Sequence, residues 1–269
     1  MSTPGATRPS DGAPMPMRDW GLVSDAEMAR VVIVSPHLDD AVLGCGLLMA
    51  AHRGITVVTV FAGNPPVYPE SMRYWDVQGG FGPDDDVMAV RRAEDEAALA
   101  RLGAIPHHLD FVEHTYNPGD QPVRPDVIAG PLGAAIAAHD PTAVFAPFGL
   151  ANPDHVVTHD AAMLVREKAG DAGLPDEIAW FCYEDIGYKH IPGMLAWRVS
   201  RLFARDLWPT PACPPVSTDH ARKAAAVACY ATQVLALEDD WQIQAKLDAP
   251  APEQFWRLAP PPVGWPKLR

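Results

Sequence analysis

The sequence predicts an α/β fold: a Rossmann-like, doubly wound and mostly parallel sheet with helices on both faces. Three observations predict it. Val31-Val32-Ile33-Val34 is a short β-branched run of the kind a parallel sheet buries on both faces. A helix of small residues and a second β-branched run follow closely, which together make a βαβ unit. Strand and helix patterns then alternate as far as Tyr183.

Taken in order, the first run is a strand and the turn Ser35-Pro36-His37-Leu38-Asp39-Asp40 leads out of it. A helix spans about Ala41 to His52, Gly54 closes it, and Ile55 to Phe61 reads as the second strand. Residues 62–85 form a long loop carrying Pro65, Pro66, Tyr68, Tyr74, Trp75 and a GGFG turn. Loops of that length inside compact domains are functional or disordered, and the aromatic content here predicts a pocket wall or lid. A helix from Asp86 to Leu102 ends at Gly103, and a strand is expected around His108 to Val112. A helix near Val127 to Ala138, a strand at Ala143 to Ala146, a helix from Pro153 and a fifth strand at Ile178 to Tyr183 continue the alternation. Beyond about residue 187 the pattern loosens, with helices near 219–236 and a Pro-rich end. No repeat or convincing linker divides the chain. Residues 23–269 therefore read as a single domain behind a polar, Pro- and Gly-rich leader over residues 1–22.

Composition narrows the function. A chain of 269 residues, 48% of them hydrophobic, is long and apolar enough to bury one large core. Lys and Arg number 21 against 34 Asp and Glu, a net charge of −13. Phosphate attraction needs the opposite sign, so nucleic acid and anionic membranes are not expected partners. A small or neutral molecule is. No run approaches the ~20 apolar residues of a membrane span, and the leader lacks the apolar core of a secretory signal, so a cytoplasmic protein is expected. Cys45, Cys182, Cys213 and Cys229 stand far apart without a CxxC pair, which argues against a disulfide framework or a thiolate zinc site. Oligomeric state is open, a homo-oligomer included.

Two short stretches carry the chemistry. His37, Asp39 and Asp40 sit where the first strand feeds a helix, the strand end at which open α/β sheets bind ligands. Their spacing lets His37 and Asp40 reach one ion while Asp39 points elsewhere and is free to act on water. The competing reading is a helix N-cap by either aspartate. A second strand end reads Phe148-Gly149-Leu150-Ala151-Asn152-Pro153-Asp154-His155. His155 would complete a two-His, one-carboxylate set, the ligand count of hydrolytic zinc sites that leave a position for water. Asp154 adjoins it and can orient a ring by hydrogen bonding. Gly44 and Gly46 lie inside the first helix rather than in a GxGxxG turn, which argues against a dinucleotide site.

The order HLDD … R-x-x-E … NPDH resembles the LmbE-like, or PIG-L, family of metal-dependent N-deacetylases. The likeness extends to Arg91-Arg92-Ala93-Glu94, Tyr183-Glu184-Asp185, Lys223, Cys229-Tyr230, Gln233 and Glu253-Phe255-Trp256, and so covers about residues 30–258. It implies an LmbE-like fold in which His37, Asp40 and His155 hold zinc or another divalent transition metal. It further implies that Asp39 is the general base toward the attacking water and that Arg91 helps hold substrate. An Arg91–Glu94 helix pair is the structural alternative for Arg91. Glu184 and Asp185, at the end of the fifth strand, are expected either to bind sugar hydroxyls or to cap a loop. The implied reaction is removal of an N-acetyl group from an N-acetylated amino sugar such as N-acetylglucosamine, or from a glycosylated small molecule of natural-product or thiol-cofactor type. Longer N-acyl or thiol-conjugate amides are a second reading, and a catalytically impaired sugar-binding domain is a third.

The chain departs from the family at Asn152, where a His usually opens the second motif and is thought to steady the oxyanion or protonate the leaving amine. An amide donates a hydrogen bond but supplies no proton at neutral pH. Asp39 returning its proton, or His159 one helical turn beyond His155, would make up the loss. Leu38 in place of the usual Pro is a milder change. His107, His108 and His114, after the third strand, are expected to border the pocket or to be ordinary loop histidines.

Overall fold

A computed structural model describes residues 21–175, 177–249 and 253–261. Residues 1–20 of the expected leader (1–22) and most of the Pro-rich end lie outside the described residues. Five strands run parallel: β1 (Val31–Ser35), β2 (Thr56–Thr59), β3 (Ile105–His108), β4 (Ala143–Pro147) and β5 (Ala179–Tyr183). β6 (Trp208–Ala212) and β7 (Phe255–Ala259) extend the sheet antiparallel, giving the seven-strand order β3-β2-β1-β4-β5-β7-β6. The doubly wound α/β fold read from the sequence is the fold observed.

Successive residues of β1 alternate between the two faces, as a pleated strand requires. Ile33 joins a core with Val57, Phe145 and Phe181 beneath α1 (Asp40–Ala51), α3 (Val87–Leu102) and α7 (His220–Val227). Val32 and Val34 face the opposite core, under α4 (Pro125–Ala137) and α5 (Pro153–Glu167). The remaining helices are α2 (Tyr74–Gln78), α6 (Met194–Phe203), α8 (Ala231–Trp241) and α9 (Ile243–Leu247). Among the described residues no helix is long and apolar enough to cross a membrane.

Helix α1 is buried along nearly its whole length and is interrupted at Cys45, whose φ/ψ of −135°/16° leave the helical region. The break frees Leu43 O, which accepts from Lys223 Nζ at 2.7 Å, and Leu47 N, which donates to Glu253 Oε1 at 2.7 Å. Lys223 and Glu253 pair with each other at 2.6 Å, so the charges that replace the lost helical bond also neutralise one another. The glycines flanking the break admit this packing: a Cβ on Gly44 would lie 2.9 Å from the Tyr183 ring, and one on Gly46 the same distance from the Lys223 stem.

Two expectations are corrected. The third strand is Ile105–His108, not His108–Val112; its Pro106 weakens the strand signal, and an edge strand tolerates the missing N–H. The helices expected near 219–236 are α7 and α8, the second running on to Trp241. The irregular stretch beyond residue 187 contains β6 and β7, and β6, the other edge of the sheet, also carries prolines, at 209 and 211.

Candidate active site

β1 and β4 are neighbours, but the chain winds outward from them in opposite directions, through β2 and β3 on one side and β5 on the other. Their C-terminal ends therefore open the crevice at the topological switch point. The turn after β1 is braced from within. Ser35 Oγ donates to His37 O at 2.7 Å and accepts from Ala41 N at 3.0 Å, while His37 N donates to Asp40 Oδ2 at 3.0 Å. Asp39 occupies the N-cap position of α1, yet its carboxylate makes no capping hydrogen bond. It is 9% exposed and faces the cleft. Burial and the adjacent Asp40 raise its pKa to about 7.

The turn after β4 delivers the rest. Asn152 caps α5, its Oδ1 accepting from Asp154 N at 2.8 Å, and Pro153 occupies the first helical position. Asp154 and His155 then point back toward β1. One ligand atom from each of His37, Asp40 and His155 lies within 4.8 Å of the other two, and the two imidazole centroids are 5.1 Å apart. Asp40 Oδ2 is 3.2 Å from His155 Nε2 and 3.3 Å from His37 Nδ1. Both rings are held from behind: His155 Nδ1 donates to Asp185 Oδ1 at 2.6 Å, and His37 Nε2 to Asp154 Oδ2 at 3.2 Å. That arrangement aims His155 Nε2 and His37 Nδ1 at Asp40, as a divalent cation would require, and the two imidazoles and one carboxylate are donors such a cation accepts.

The charges follow the geometry. Burial disfavours the charged form of His155, but Asp40 and Asp185 outweigh it and raise the pKa to about 9. Burial likewise opposes charge on His37, and Asp154 and Asp40 again reverse the balance, well above the ordinary value. Asp154 is buried too, yet hydrogen bonds from His114 and His37 hold it well below the carboxylate range.

The cleft above this floor has a volume of about 400 Å³. Trp75 on α2, Tyr188, Leu237 and Trp241 on α8, and Ile243 on α9 form its apolar wall. Tyr188 lies edge-on to His155 at 5.0 Å and to Trp241 at 5.1 Å. Trp75 fits the expected pocket wall in the 62–85 loop. Tyr188 and Trp241 come from the irregular stretch beyond residue 187, where no local pattern marks them.

Arg91 also lines the cleft, pinned by Asp76 at 3.2 Å and Glu113 at 3.6 Å. The Arg91–Glu94 pair does not form, because Glu94 is turned to Thr232, accepting from its N at 2.9 Å and its Oγ1 at 2.7 Å. Glu184 and Asp185 are not placed as sugar ligands. Glu184 accepts from Trp256 Nε1 at 2.9 Å and pairs with Lys189 at 3.4 Å, and Asp185 is spent on His155 and on Gly149 N. His159 is 1% exposed and donates from Nδ1 to Pro147 O at 2.8 Å. Burial, reinforced by Arg198, drives its pKa down to about 3, so it stays neutral and out of the cleft. His107 pairs with His139 at 3.0 Å and His108 with Asp95 at 2.9 Å, both away from the cleft. Of these three histidines, two in β3 and one after it, His114 alone lines the cleft, with Nδ1 2.9 Å from Asp154 Oδ2.

Residues 32–165, which span both motifs, match the family described as PIG-L, GlcNAc-PI de-N-acetylase. No curated protein sequence matches the chain. Among solved structures, the A40926 pseudoaglycone deacetylase is 29% identical with a TM-score of 0.67, over 86% of this chain and 96% of that one. A triple mutant of a deacetylase from the teicoplanin biosynthetic pathway is 25% identical with a TM-score of 0.66, over 87% of this chain and 100% of that one. The 4-carboxy-2-hydroxymuconate hydratase of Pseudomonas putida KT2440 shares the fold at 18% identity and a TM-score of 0.51, over 89% of this chain and 98% of that one. The fold therefore hosts more than one chemistry, and the reaction has to be argued from the site. Motif order, strand-end geometry and family match fall on the same residues, and on that agreement this chain belongs to the PIG-L, or LmbE-like, family of deacetylases.

Proposed function

We propose that the chain is a metal-dependent N-deacetylase acting on an acetamido sugar of a glycosylated small molecule. In this reading His37, Asp40 and His155 hold the metal, zinc before other divalent cations. The observation that carries it is the convergence of their three ligand atoms within 4.8 Å beside a buried carboxylate, Asp39, that makes no hydrogen bond among the described residues. A divalent cation held there supplies Lewis acidity to the acyl oxygen and to the attacking water. Asp39 takes the proton that water gives up, and a pKa of about 7 suits a base working near neutrality. Asp185 and Asp154 keep the two imidazoles aimed inward. The acidic chain suits an uncharged, polar substrate, and the two deacetylases more than 24% identical belong to the teicoplanin biosynthetic pathway or act on a pseudoaglycone by their own descriptions.

The test is metal content together with acetate release from N-acetylglucosamine and its aryl glycosides. His37→Ala is expected to lose stoichiometric metal and acetate release together. A wild-type protein without stoichiometric metal, and a His37→Ala protein releasing acetate at the wild-type rate, would overturn the reading. The apolar wall of Trp75, Leu237, Trp241 and Ile243 supports the second reading, a longer N-acyl or thiol-conjugate amide. A panel of N-acyl chain lengths separates the two, since a rate that climbs with chain length favours the longer acyl group.

A further inference from the structure

Amide hydrolysis needs a proton on the departing nitrogen, because an amide anion is too basic to leave in water. Asn152 has none to give, and its side chain is already engaged, Oδ1 with Asp154 N and Nδ2 with Tyr188 OH at 3.4 Å. His159 is sequestered in the core. Resting on the hydrolase reading above, we propose that His114 is the general acid of this site and that Asp154 orients it.

His114 reaches the cleft from an element unconnected to either motif, the loop after β3. It opens a short turn over His114–Tyr116 that is pinned on both sides. Glu113 pairs with Arg91 at 3.6 Å, and Tyr116 OH donates to the buried Asp76 at 2.8 Å. Between these anchors His114 meets Asp154 twice, through its backbone N at 3.0 Å and through Nδ1 at 2.9 Å. A ring that gives Nδ1–H to a fully buried carboxylate has its second nitrogen on the far side, and His114 Nε2 makes no hydrogen bond among the described residues. The ring borders the same cleft as Asp39 and His155. Asp154 Oδ2 also accepts from His37 Nε2 at 3.2 Å, so one carboxylate sets the position of the acid relative to the metal end of the site.

The protons balance. Asp39 removes one from the water whose oxygen bonds to the acyl carbon. His114 Nε2–H passes one to the amine nitrogen as the carbon–nitrogen bond breaks, which releases the neutral amine and the carboxylic acid. The proton on Asp39 then returns to His114 or to solvent, and the acid ionises to acetate.

The experiment uses zinc-loaded protein, acetate release from 4-nitrophenyl N-acetylglucosaminide, and calorimetric zinc binding for wild type, His114→Ala and His114→Gln. Both variants are expected to lose roughly 10²- to 10⁴-fold in kcat, the range for a removed general acid. Zinc affinity is expected to stay within about threefold, since the histidine is not a ligand, and added imidazole should restore part of the rate to His114→Ala but not to wild type. A kcat within about threefold of wild type in both variants overturns the proposal. So does zinc affinity falling in step with the rate. If the zinc-loaded wild type releases no acetate from any acetamido sugar, the hydrolase reading itself fails, a result distinct from an active wild type with equally active His114 variants.

Discussion

The floor and the wall of the cleft are built differently. Every polar side chain on the floor except Asp39 is fixed by at least one further contact. Asp40 is bound by His37 N, His155 by Asp185, and His37 and His114 by Asp154. These residues come from strand ends and helix starts of the rigid parallel sheet. The wall comes from α2, α8, α9 and the segment after β5 that carries Tyr188, all outside that sheet, and its large side chains Tyr188 and Trp241 touch edge to face. Rigid placement suits groups that must meet reacting atoms within a fraction of an ångström, whereas an apolar wall adapts to the shape it covers. The contrast assigns chemistry to the floor and choice of substrate to the wall.

The largest effect should come from the one floor residue left unpaired. Asp39→Asn keeps the shape and removes the base, so kcat is expected to fall roughly 10²- to 10⁴-fold while bound zinc stays stoichiometric. Acetate release at the wild-type rate would remove Asp39 from the chemistry and break the division. Asp185→Ala should come next. Without its partner on Nδ1, His155 loses its fixed orientation, and zinc affinity is expected to drop about 10- to 100-fold by competition against a chelating dye. The same ligands imply a pH dependence. The carboxylates around His155 raise its pKa to about 9, so below that pH a proton holds the lone pair a cation needs. Zinc binding must then release protons, and affinity should rise with pH up to about 9. Proton release in weakly buffered solution measures this directly, and a pH-independent affinity between about 6 and 9 would contradict it.

How much of the floor and the wall was legible in the sequence follows the same division. His37, Asp39, Asp40, Asp154 and His155 sit in two local motifs, each at the end of an apolar strand that feeds a helix, and both turns can be found from residue type and spacing. Asp185 and His114 are different. Their partners, His155 and Asp154, lie 30 and 40 residues away along the chain, so the pairing exists only once β3, β4 and β5 are assembled into one sheet. Three histidines fall at the end of β3 and just beyond it, and nothing in their spacing says that His114 alone turns to the cleft while His107 and His108 are taken by His139 and Asp95. The wall was the least legible. Helix α2 is only Tyr74–Gln78, too short to establish a helical period inside a Pro-rich loop. β6 reads Trp-Pro-Thr-Pro-Ala, a pattern that argues against strand except at a sheet edge, which is where it lies.

The smallest effect, and the sharpest on the division, should come from the wall. Trp75 is half-buried, lines the cleft and meets its neighbour Tyr74 edge to face at 5.9 Å, with no hydrogen bond tying its indole to the floor. Trp75→Ala removes apolar contact without touching a proton-transfer group. On the proposed assignment the kcat for N-acetylglucosamine, which reaches little beyond the floor, stays within about threefold of wild type. With a substrate bearing a bulky aryl or alkyl group, kcat/KM should fall about tenfold, mostly through KM, in line with the ~1–3 kcal/mol that one apolar contact contributes to discrimination. An equal loss for small and large substrates would mean that the wall also shapes the catalytic floor, and the two regions would then have to be treated as one device.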